Sequence, residues 1–213
     1  MDTDRSVSMG DARDASAERI LAAADALFCS RGFQAVSVRD IAERAGVKKA
    51  SVFYHFQNKE ALFAQVLDGY YEAHAEALRA ARQHGGDSRQ RLHTLLDAFM
   101  DFMEDHSRYV KLVHIEIASG GPALPKIREG LHKLLRLVED ILGDEVPCDG
   151  PLSAKQFFVS FSGIVNTYAL YAPALTGLWT PDPESAAARR ERREHVHWLA
   201  DALFASLRAA APE

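Results

Sequence analysis

The chain contains 213 residues, of which 47% are hydrophobic and 26% are charged, and its formal net charge at pH 7 is −5. This composition is typical of a soluble globular protein with a substantial core. No apolar run approaches the length of about 18 residues that a membrane-spanning helix needs. The polar N-terminus lacks the apolar region of a secretory signal, and the two cysteines are far apart. We therefore expect a reduced, cytoplasmic setting without membrane contact.

The average charge hides a local asymmetry near the N-terminus. The segment from Ala17 to Phe63 holds seven Lys and Arg residues against five Asp and Glu residues, which gives it a net charge of +2. The remainder of the chain therefore carries −7. This difference favours an anionic partner for the N-terminal segment.

The first elements in chain order are predicted to be short helices. Residues 1–14 are expected to form a disordered tail, and a helix then ends near Gly32. Ser37 and Asp40 resemble a capping box that opens the next helix, and Gly46 breaks it. A second short helix is expected from about Lys49 to Phe56, and a longer one begins at Lys59.

The rest of the sequence is also predicted to be helical. Apolar residues recur at helical spacing from Ser88 to about His106, and again after Ser107. The segment LPKIREGLHKLLRLVEDILG forms another such stretch, and a helix that starts after Ser153 is expected to stop at Pro173. A last helix follows TPDPES. No alternating strand pattern of useful length is present, so the predicted fold class is all-α.

The segment SVRDIAERAGVKKASVFYHF has the spacing of a helix-turn-helix. The small Ala42 lets two helices cross closely, and Gly46 can take the positive φ that the turn requires. The residues expected to lock the two helices together are Ile41, Ala45, Val47, Val52 and Phe56. The second helix of such a motif can enter the major groove of DNA.

Several side chains on this motif are expected to face DNA. Lys49, Ala50 and Ser51 lie at the start of the second helix, where base edges would be read. Tyr54 and His55 follow about one turn later and are expected to contact phosphates. Two further candidates for DNA contacts are Arg39, for a base or a phosphate, and Lys59, for a phosphate.

The stretch AERILAAADALFCSRGFQAVSVRDIAERAGVKKASVFYHFQNKEALF, from Ala17 to Phe63, resembles the DNA-binding domain of the tetracycline-repressor (TetR/AcrR) family. The resemblance implies a helix-turn-helix domain over residues 15–63 and a ligand-binding and dimerisation domain over residues 64–213. It also implies a phosphate contact for Ser37 and a backbone-facing position for Phe53. The family often has Ser or Thr where this chain has Lys48, and usually Tyr where it has Phe53. We expect Lys48 to replace lost hydrogen bonds by a charge contact.

Other interpretations of the same residues remain open. Phe56 is expected in the core, Phe53 could belong to either the core or the interface, and Cys29 is expected to be a small buried residue. His195 and His197 point about 200° apart on a helix, so they do not form one metal site. A metal site that uses His106 and His114 is a weaker alternative to structural roles. No nucleophile–base spacing or phosphate loop is present, so we predict no catalytic site and no cofactor.

The C-terminal sequence is predicted to hold a largely apolar effector, such as an acyl or acyl-CoA compound, an aromatic or a drug. The candidate ligand-binding residues are Phe99, Phe102, Met103, Tyr109, Val113, His114, Ile117, Phe158, Phe161, Asn166 and Tyr168. The resemblance further implies a homodimer built on the last two helices. The candidate dimer residues are Phe157, Ile164, Val196, Leu199, Leu203 and Leu207.

The function expected from these features is a ligand-responsive transcriptional repressor that binds a palindromic operator as a homodimer. A transcriptional activator on the same scaffold is one alternative. A helical-bundle enzyme or small-molecule carrier is another, which the cations around Lys49 and the spacing of Tyr54, His55 and Lys59 argue against.

Overall fold

The computed structural model describes residues 4–83, 86–143, 146–147 and 149–210, with side chains described for these residues except 4–13, 88 and 207–210. All regular secondary structure in these ranges is helical, which confirms the predicted all-α class. The helices are α1 (Asp4–Arg31), α2 (Val38–Ala45), α3 (Lys49–His55), α4 (Lys59–Arg82), α5 (Ser88–Asp105), α6 (Ser107–Ser119), α7 (Leu124–Leu142), α8 (Ala154–Leu175) and α9 (Ala186–Ala210). No helix among these is long and apolar enough to cross a membrane.

Two helix limits differ from the predictions. Helix α1 begins at Asp4, within the segment predicted to be a tail, because adding residues to an existing helix costs far less than nucleating one. Helix α8 continues past Pro173 to Leu175. Proline is tolerated there because it lies in the last turn, and the N–H of Thr176 closes that turn on the carbonyl of Ala172 at 3.1 Å.

The chain divides into two compact units. The N-terminal unit runs up to Tyr70 and also contains Lys111–Arg128. The C-terminal unit contains Tyr71–Val110 and the chain from Glu129 onward. The predicted domain border between residues 63 and 64 lies inside α4, as the unit border does. Residues 111–128, which the sequence assigned to the second domain, are counted with the first unit.

Three phenylalanine rings form the centre of the N-terminal unit. The ring of Phe63 lies 4.8 Å from the rings of both Phe28 and Phe33, and Phe28 and Phe33 lie 5.7 Å apart. All three side chains are buried. Such aromatic pairs contribute about 0.5–1.5 kcal/mol each beyond the area that they bury. The cluster therefore joins the end of α1 and the start of α4.

A polar contact runs alongside this cluster. The hydroxyl of Tyr70 donates to the carboxylate of Asp25 at 2.8 Å, and the Cys29 sulfur lies 3.5 Å from the same oxygen. Burial and the bond to Asp25 raise the pKa of Tyr70. Cys29, expected to be a small buried residue, is half-buried and takes part in this polar contact.

In the C-terminal unit, α5 and α9 are joined by charged pairs. The guanidinium of Arg89 donates two bonds of 2.6 Å to the carboxylate of Asp201, and His93 approaches the same carboxylate at 2.7 Å. About two turns from the Arg89–Asp201 pair on each helix, Arg193 donates to Asp97 at 2.8 Å. The bond from Arg89 and the neighbouring His93 lower the pKa of Asp201 to about 2.

The stability of the Asp201→Asn variant as a function of pH tests the charged pairs between α5 and α9. The folded-state pKa of Asp201 lies below its ordinary value of 3.8, so its stabilising effect is present above pH 4 and is lost as the pH falls toward 2. The urea midpoint of the variant should therefore lie below that of the wild type at pH 5–7, and the difference should shrink below pH 4. A difference that stays constant down to pH 2 would show that the carboxylate charge has no part in it.

Candidate functional site

Helix α2 begins with the predicted capping box. The amide N–H of Asp40 donates to Ser37 Oγ at 3.2 Å, and the amide N–H of Ser37 donates back to Asp40 Oδ2 at 2.9 Å. Ser37 Oγ also donates to Asp40 Oδ2 at 2.7 Å. These bonds lower the pKa of the Asp40 carboxyl. Ser37 is exposed, but its hydroxyl proton already has an acceptor within the motif.

The turn between α2 and α3 has the predicted geometry. Gly46 adopts φ 65°, the left-handed conformation that a residue with a Cβ rarely takes. The next amide, from Val47, donates to the Ala42 carbonyl at 3.0 Å and completes the end of α2. Ala42 itself is buried at the crossing. The sequence therefore specifies this turn locally.

The inner face of the motif is buried, as predicted. Ile41 is fully buried, and the other buried members are Ala45, Val52 and Phe56. Val47 is an exception, since it is only half-buried. Phe56 therefore belongs to the core, whereas the side chain of Phe53 is 46% exposed, which excludes the core interpretation for Phe53.

The outer face of α3 presents most of the predicted DNA-contacting residues together. Lys48, Lys49 and Ala50 are exposed, and Tyr54 is 65% exposed. Ser51 and His55 are half-buried on the flanks of this face, and Arg39 on α2 is exposed. Lys49 Nζ lies 5.7 Å from the centre of the Phe53 ring. This outer face combines cations, hydroxyls and aromatic rings that can meet phosphates and base edges.

Helix α3 lacks a side-chain cap at its N-terminus. Lys48 occupies its N-cap position with extended backbone, and its side chain makes no capping hydrogen bond. This confirms the expectation that the second helix of the motif has no hydroxyl cap. An uncapped helix of 7 residues is not stable by itself, so its packing through Val52 must hold it in place.

The structure places Lys59 differently from the sequence-based assignment to a phosphate. Its ammonium donates to the carbonyls of Phe33 and Val36, both at 2.9 Å, and lies 4.0 Å from the centre of the Phe33 ring. Two of the three N–H bonds are therefore used within the N-terminal unit. We correct the assignment: Lys59 first fastens the start of α4 to the segment that follows α1.

The predicted ligand-binding residues are only partly brought together. Phe99, Phe158 and Phe161 line a cavity of about 50 Å³ in the C-terminal unit. Its other walls include residues that the sequence-based assignment missed, namely His74, Leu78, Leu92, Leu95, Leu96, Val138, Leu142, Phe157 and Ser162. His74 could have been found, because it lies in phase with Leu67, Tyr71 and Leu78 on the apolar stripe of α4.

The remaining predicted pocket residues lie elsewhere. Phe102, Tyr109 and Val113 are buried but do not line this cavity. Met103 and Tyr168 line a separate cleft, where the Tyr168 hydroxyl donates to the carbonyl of Pro183 at 3.0 Å. Asn166 and His114 are half-buried, and Ile117 is 45% exposed. Val113, His114 and Ile117 belong to the N-terminal unit.

Two of the predicted dimer residues are buried within the C-terminal unit. Val196 is fully buried and Phe157 is 5% exposed, so neither offers surface to a second subunit. The reason is that the inward stripe of α9 consists of Val196, Ala200 and Phe204. Leu199, Leu203 and Ile164 are half-buried, and the side chain of Leu207 lies outside the described residues.

No group of three potential metal ligands occurs among the residues that the structure describes. His106, one of the candidates, instead stacks on Phe102 with 4.1 Å between ring centres, and its Nδ1 lies 2.8 Å from the Phe102 carbonyl oxygen. His195 is stacked on Trp198 at 5.9 Å.

Comparison with known proteins places the helix-turn-helix in a family. Residues 20–66 match the family model described as "Bacterial regulatory proteins, tetR family". The helix-turn-helix segment of this chain is therefore similar to the TetR family of bacterial regulatory proteins. The match begins in α1 and ends in α4, so it includes the capping box, the turn and the Lys59 contacts.

Curated relatives resemble about half of the chain. The HTH-type transcriptional activator FasR of Mycolicibacterium smegmatis is 36% identical over 101 residues, which cover 47% of this chain and 46% of FasR. The HTH-type transcriptional repressor KstR2 of Rhodococcus jostii is 31% identical over 98 residues, which cover 46% of this chain and 48% of KstR2. The chain therefore spans about half the length of the curated relatives that it matches.

A solved structure resembles nearly the whole chain in fold. The transcriptional regulator FadR of Bacillus subtilis, in complex with stearoyl-CoA, superimposes with a TM-score of 0.65 at 15% sequence identity. The similarity covers 89% of this chain and 96% of that one. At this identity the likeness shows that the C-terminal helices share the fold.

The Lys59→Met variant tests the structural role of Lys59 in the N-terminal unit. Methionine keeps the apolar stem near Phe33 but removes the donors to two carbonyls, which should cost about 1–3 kcal/mol and lower the unfolding temperature by several degrees. Thermal unfolding followed by circular dichroism measures this loss. The matched Lys49→Met variant changes an exposed lysine and should unfold like the wild type. An unchanged unfolding temperature for Lys59→Met would contradict the assignment.

Proposed function

We propose that this chain is a transcriptional regulator that binds operator DNA through the outer face of α3 and responds to a small molecule held by its C-terminal helices. The observation that carries this proposal is the division of α3 into two faces. Val52 and the adjoining Phe56 are buried, whereas Lys48, Lys49 and Tyr54 are exposed together. On a helix-turn-helix, a solvent-exposed face with aromatic and cationic side chains is suited to bind nucleic acid.

Roles within this face follow from position. Lys49, Ala50 and Ser51 would enter the major groove first and contact base edges. Tyr54, His55 and Lys48 would lie along the phosphate backbone, with Phe53 in apolar contact beside them. Ser37 and Arg39 on α2 would reach the flanking backbone, although the Ser37 hydroxyl would have to share its proton with Asp40.

A homodimer would present two copies of α3 to a palindromic operator. The surface available for dimerisation on α8 and α9 differs from the sequence-based choice. Among the described side chains of these helices, Val159, Tyr171 and Trp198 are large, apolar and more than half exposed. Together with the half-buried Ile164, Leu199 and Leu203, they would supply the contact between subunits.

Repression with release by an effector is the proposed mode of regulation. The similarity to the repressor KstR2 supports repression, and the similarity to the activator FasR keeps activation as the second candidate. Because FadR was solved with stearoyl-CoA, a largely apolar effector is the proposed class. The ligand would act through its different affinities for the DNA-binding and the released states. As a reader of chromosomal DNA, the protein would act in the cytoplasm.

Selection from a pool of random DNA duplexes tests the proposal as a whole. We expect a palindromic consensus, and we expect the affinity for it to fall steeply as the salt concentration rises, because cations on the protein displace counterions from DNA. Recovery of no consensus by the folded protein would contradict the proposed function. The effect of bound DNA on transcription in a reporter then separates repression from activation.

Substitutions on α3 should separate base reading from phosphate contact. Lys49→Ala and Ser51→Ala should change the preferred base at one position by about 1–3 kcal/mol, whereas Tyr54→Ala should weaken binding to all sequences alike. Arg136→Ala is the control, since it removes an exposed cation of the C-terminal unit that is paired with Glu139. If all three α3 variants bound like this control, the assigned face would be wrong.

The Lys48→Thr variant shows what the unusual N-cap contributes. Threonine can cap α3, which should raise the stability by about 1 kcal/mol. The same change removes a proposed phosphate contact, so DNA affinity should fall and the slope of affinity against salt should decrease by about 1. Urea unfolding and fluorescence anisotropy at several salt concentrations measure the two effects. An unchanged salt slope would mean that Lys48 contributes no charge contact.

A further inference from the structure

The most unusual polar side chain outside the helix-turn-helix is that of His74. It belongs to α4, is only 4% exposed, and lies among apolar residues of the C-terminal unit. Its ring is nearly parallel to the rings of Phe99 and Phe102, at 5.3 Å and 4.5 Å between centres. Neither ring nitrogen has a hydrogen-bond partner among the residues that the structure describes.

The protonation state of His74 follows from these surroundings. Burial, with a smaller effect from the nearby His106, lowers the pKa of His74 to about 3. The ring is therefore neutral at physiological pH, with one N–H donor and one nitrogen acceptor. Buried polar groups are nearly always hydrogen-bonded, because leaving such a group unpaired costs folding free energy. His74 thus has an unused donor and an unused acceptor.

His74 forms part of the wall of the 50 Å³ cavity. Every other lining residue except Ser162 is a leucine, valine or phenylalanine. A buried water normally needs two to four polar partners, which this wall scarcely provides. The lining contains no lysine, arginine, aspartate or glutamate, so it offers no counter-charge to an ionised ligand group.

We propose that this cavity binds an uncharged small molecule with an apolar body and one hydroxyl or carbonyl group, which hydrogen-bonds to His74. As the effector site of the regulator, the cavity depends on the function proposed above, whereas the binding itself can be tested separately. A hydroxyl can donate to the ring acceptor or accept from the ring N–H, and a carbonyl can only accept. The apolar body would lie against Phe99, Phe158 and Phe161.

The cavity must enlarge to hold a small molecule. Sites for small molecules usually enclose about 300–1,000 Å³, so the leucine and phenylalanine side chains around His74 must move apart as the ligand enters. A ligand that only fits an opened cavity binds one conformation better than another, which is the condition for regulation. Because His74 and Leu78 belong to α4, the helix that begins with Lys59, the opening directly involves a helix shared with the N-terminal unit.

The test uses the full-length protein and three compounds of nearly equal shape: p-cresol, p-xylene and p-toluate. They differ in one substituent, which is a hydroxyl, a methyl or a carboxylate. Isothermal titration calorimetry should give an affinity for p-cresol about tenfold above that for p-xylene, and binding of p-toluate should be the weakest. In a ¹⁵N spectrum of the histidine side chains, p-cresol should shift the His74 resonances and p-xylene should leave them nearly unchanged.

Three variants identify the group responsible. His74→Leu should lose the preference for p-cresol and should unfold at a higher temperature, because it removes unpaired polar atoms from the core. His74→Gln keeps a donor and an acceptor and should retain part of the preference. His132→Leu alters an exposed histidine of the same unit and should behave like the wild type.

The possible results separate the two proposals. Equal affinities for p-cresol and p-xylene, tighter binding of p-toluate, or no binding by the folded wild type would each overturn the inference about His74. A preference that survives in His74→Leu would overturn it as well. DNA binding is measured on the same samples. Selectivity for p-cresol without any operator binding would refute only the proposed function.

Discussion

The contact on which the helix-turn-helix depends is the one between Lys59 and the segment after α1. Its ammonium holds two backbone carbonyls at 2.9 Å and lies over the face of Phe33, which packs against Phe28 and Phe63. Carbonyls at the end of a helix and in the following loop need donors, and here one side chain supplies them. Because α2 and α3 lie between Phe33 and Lys59 in the sequence, this contact joins the two ends of the segment that contains the motif.

In the C-terminal unit, two faces of α5 make different kinds of contact. One face carries Arg89, His93 and Asp97, whose bonds to α9 are directional and charge-assisted. The other face contributes Leu95, Leu96 and Phe99 to the cavity, where contacts are apolar and have no fixed direction. A molecule that enters the proposed site would therefore displace apolar side chains of α5 and not its charged pairs with α9.

The features that could be predicted from the sequence are those encoded within a few residues. Ser37 and Asp40 are three positions apart, and Gly46 is needed where the turn requires a positive φ. The contacts of Lys59 could not be predicted, because its carbonyl acceptors are 26 and 23 residues away in the sequence. The sequence indicates only that Lys59 lies at the start of a helix, where its ammonium can bind either a phosphate or backbone carbonyls.

The errors in the C-terminal half have a different physical origin. On α9 both Leu199 and Ala200 are apolar, so the pattern allows two stripes, and the structure buries the one that contains Ala200 and Phe204. His74 was overlooked because a histidine in a long amphipathic helix usually lies on the polar face. It is found only when its phase relative to Tyr71 and Leu78 is counted.

Lys48 and Phe53, the two positions at which α3 departs from the TetR/AcrR pattern, are connected by the short length of this helix. With 7 residues and no side-chain cap at Lys48, α3 gains little stability from its own hydrogen bonds. Its position must come from Val52, which is 2% exposed, and from Phe56 at its end, which is 6% exposed. Residues on the outer face, including Phe53, are consequently not needed for folding. They can vary to suit the proposed operator, whereas the two buried side chains cannot change without displacing the whole face.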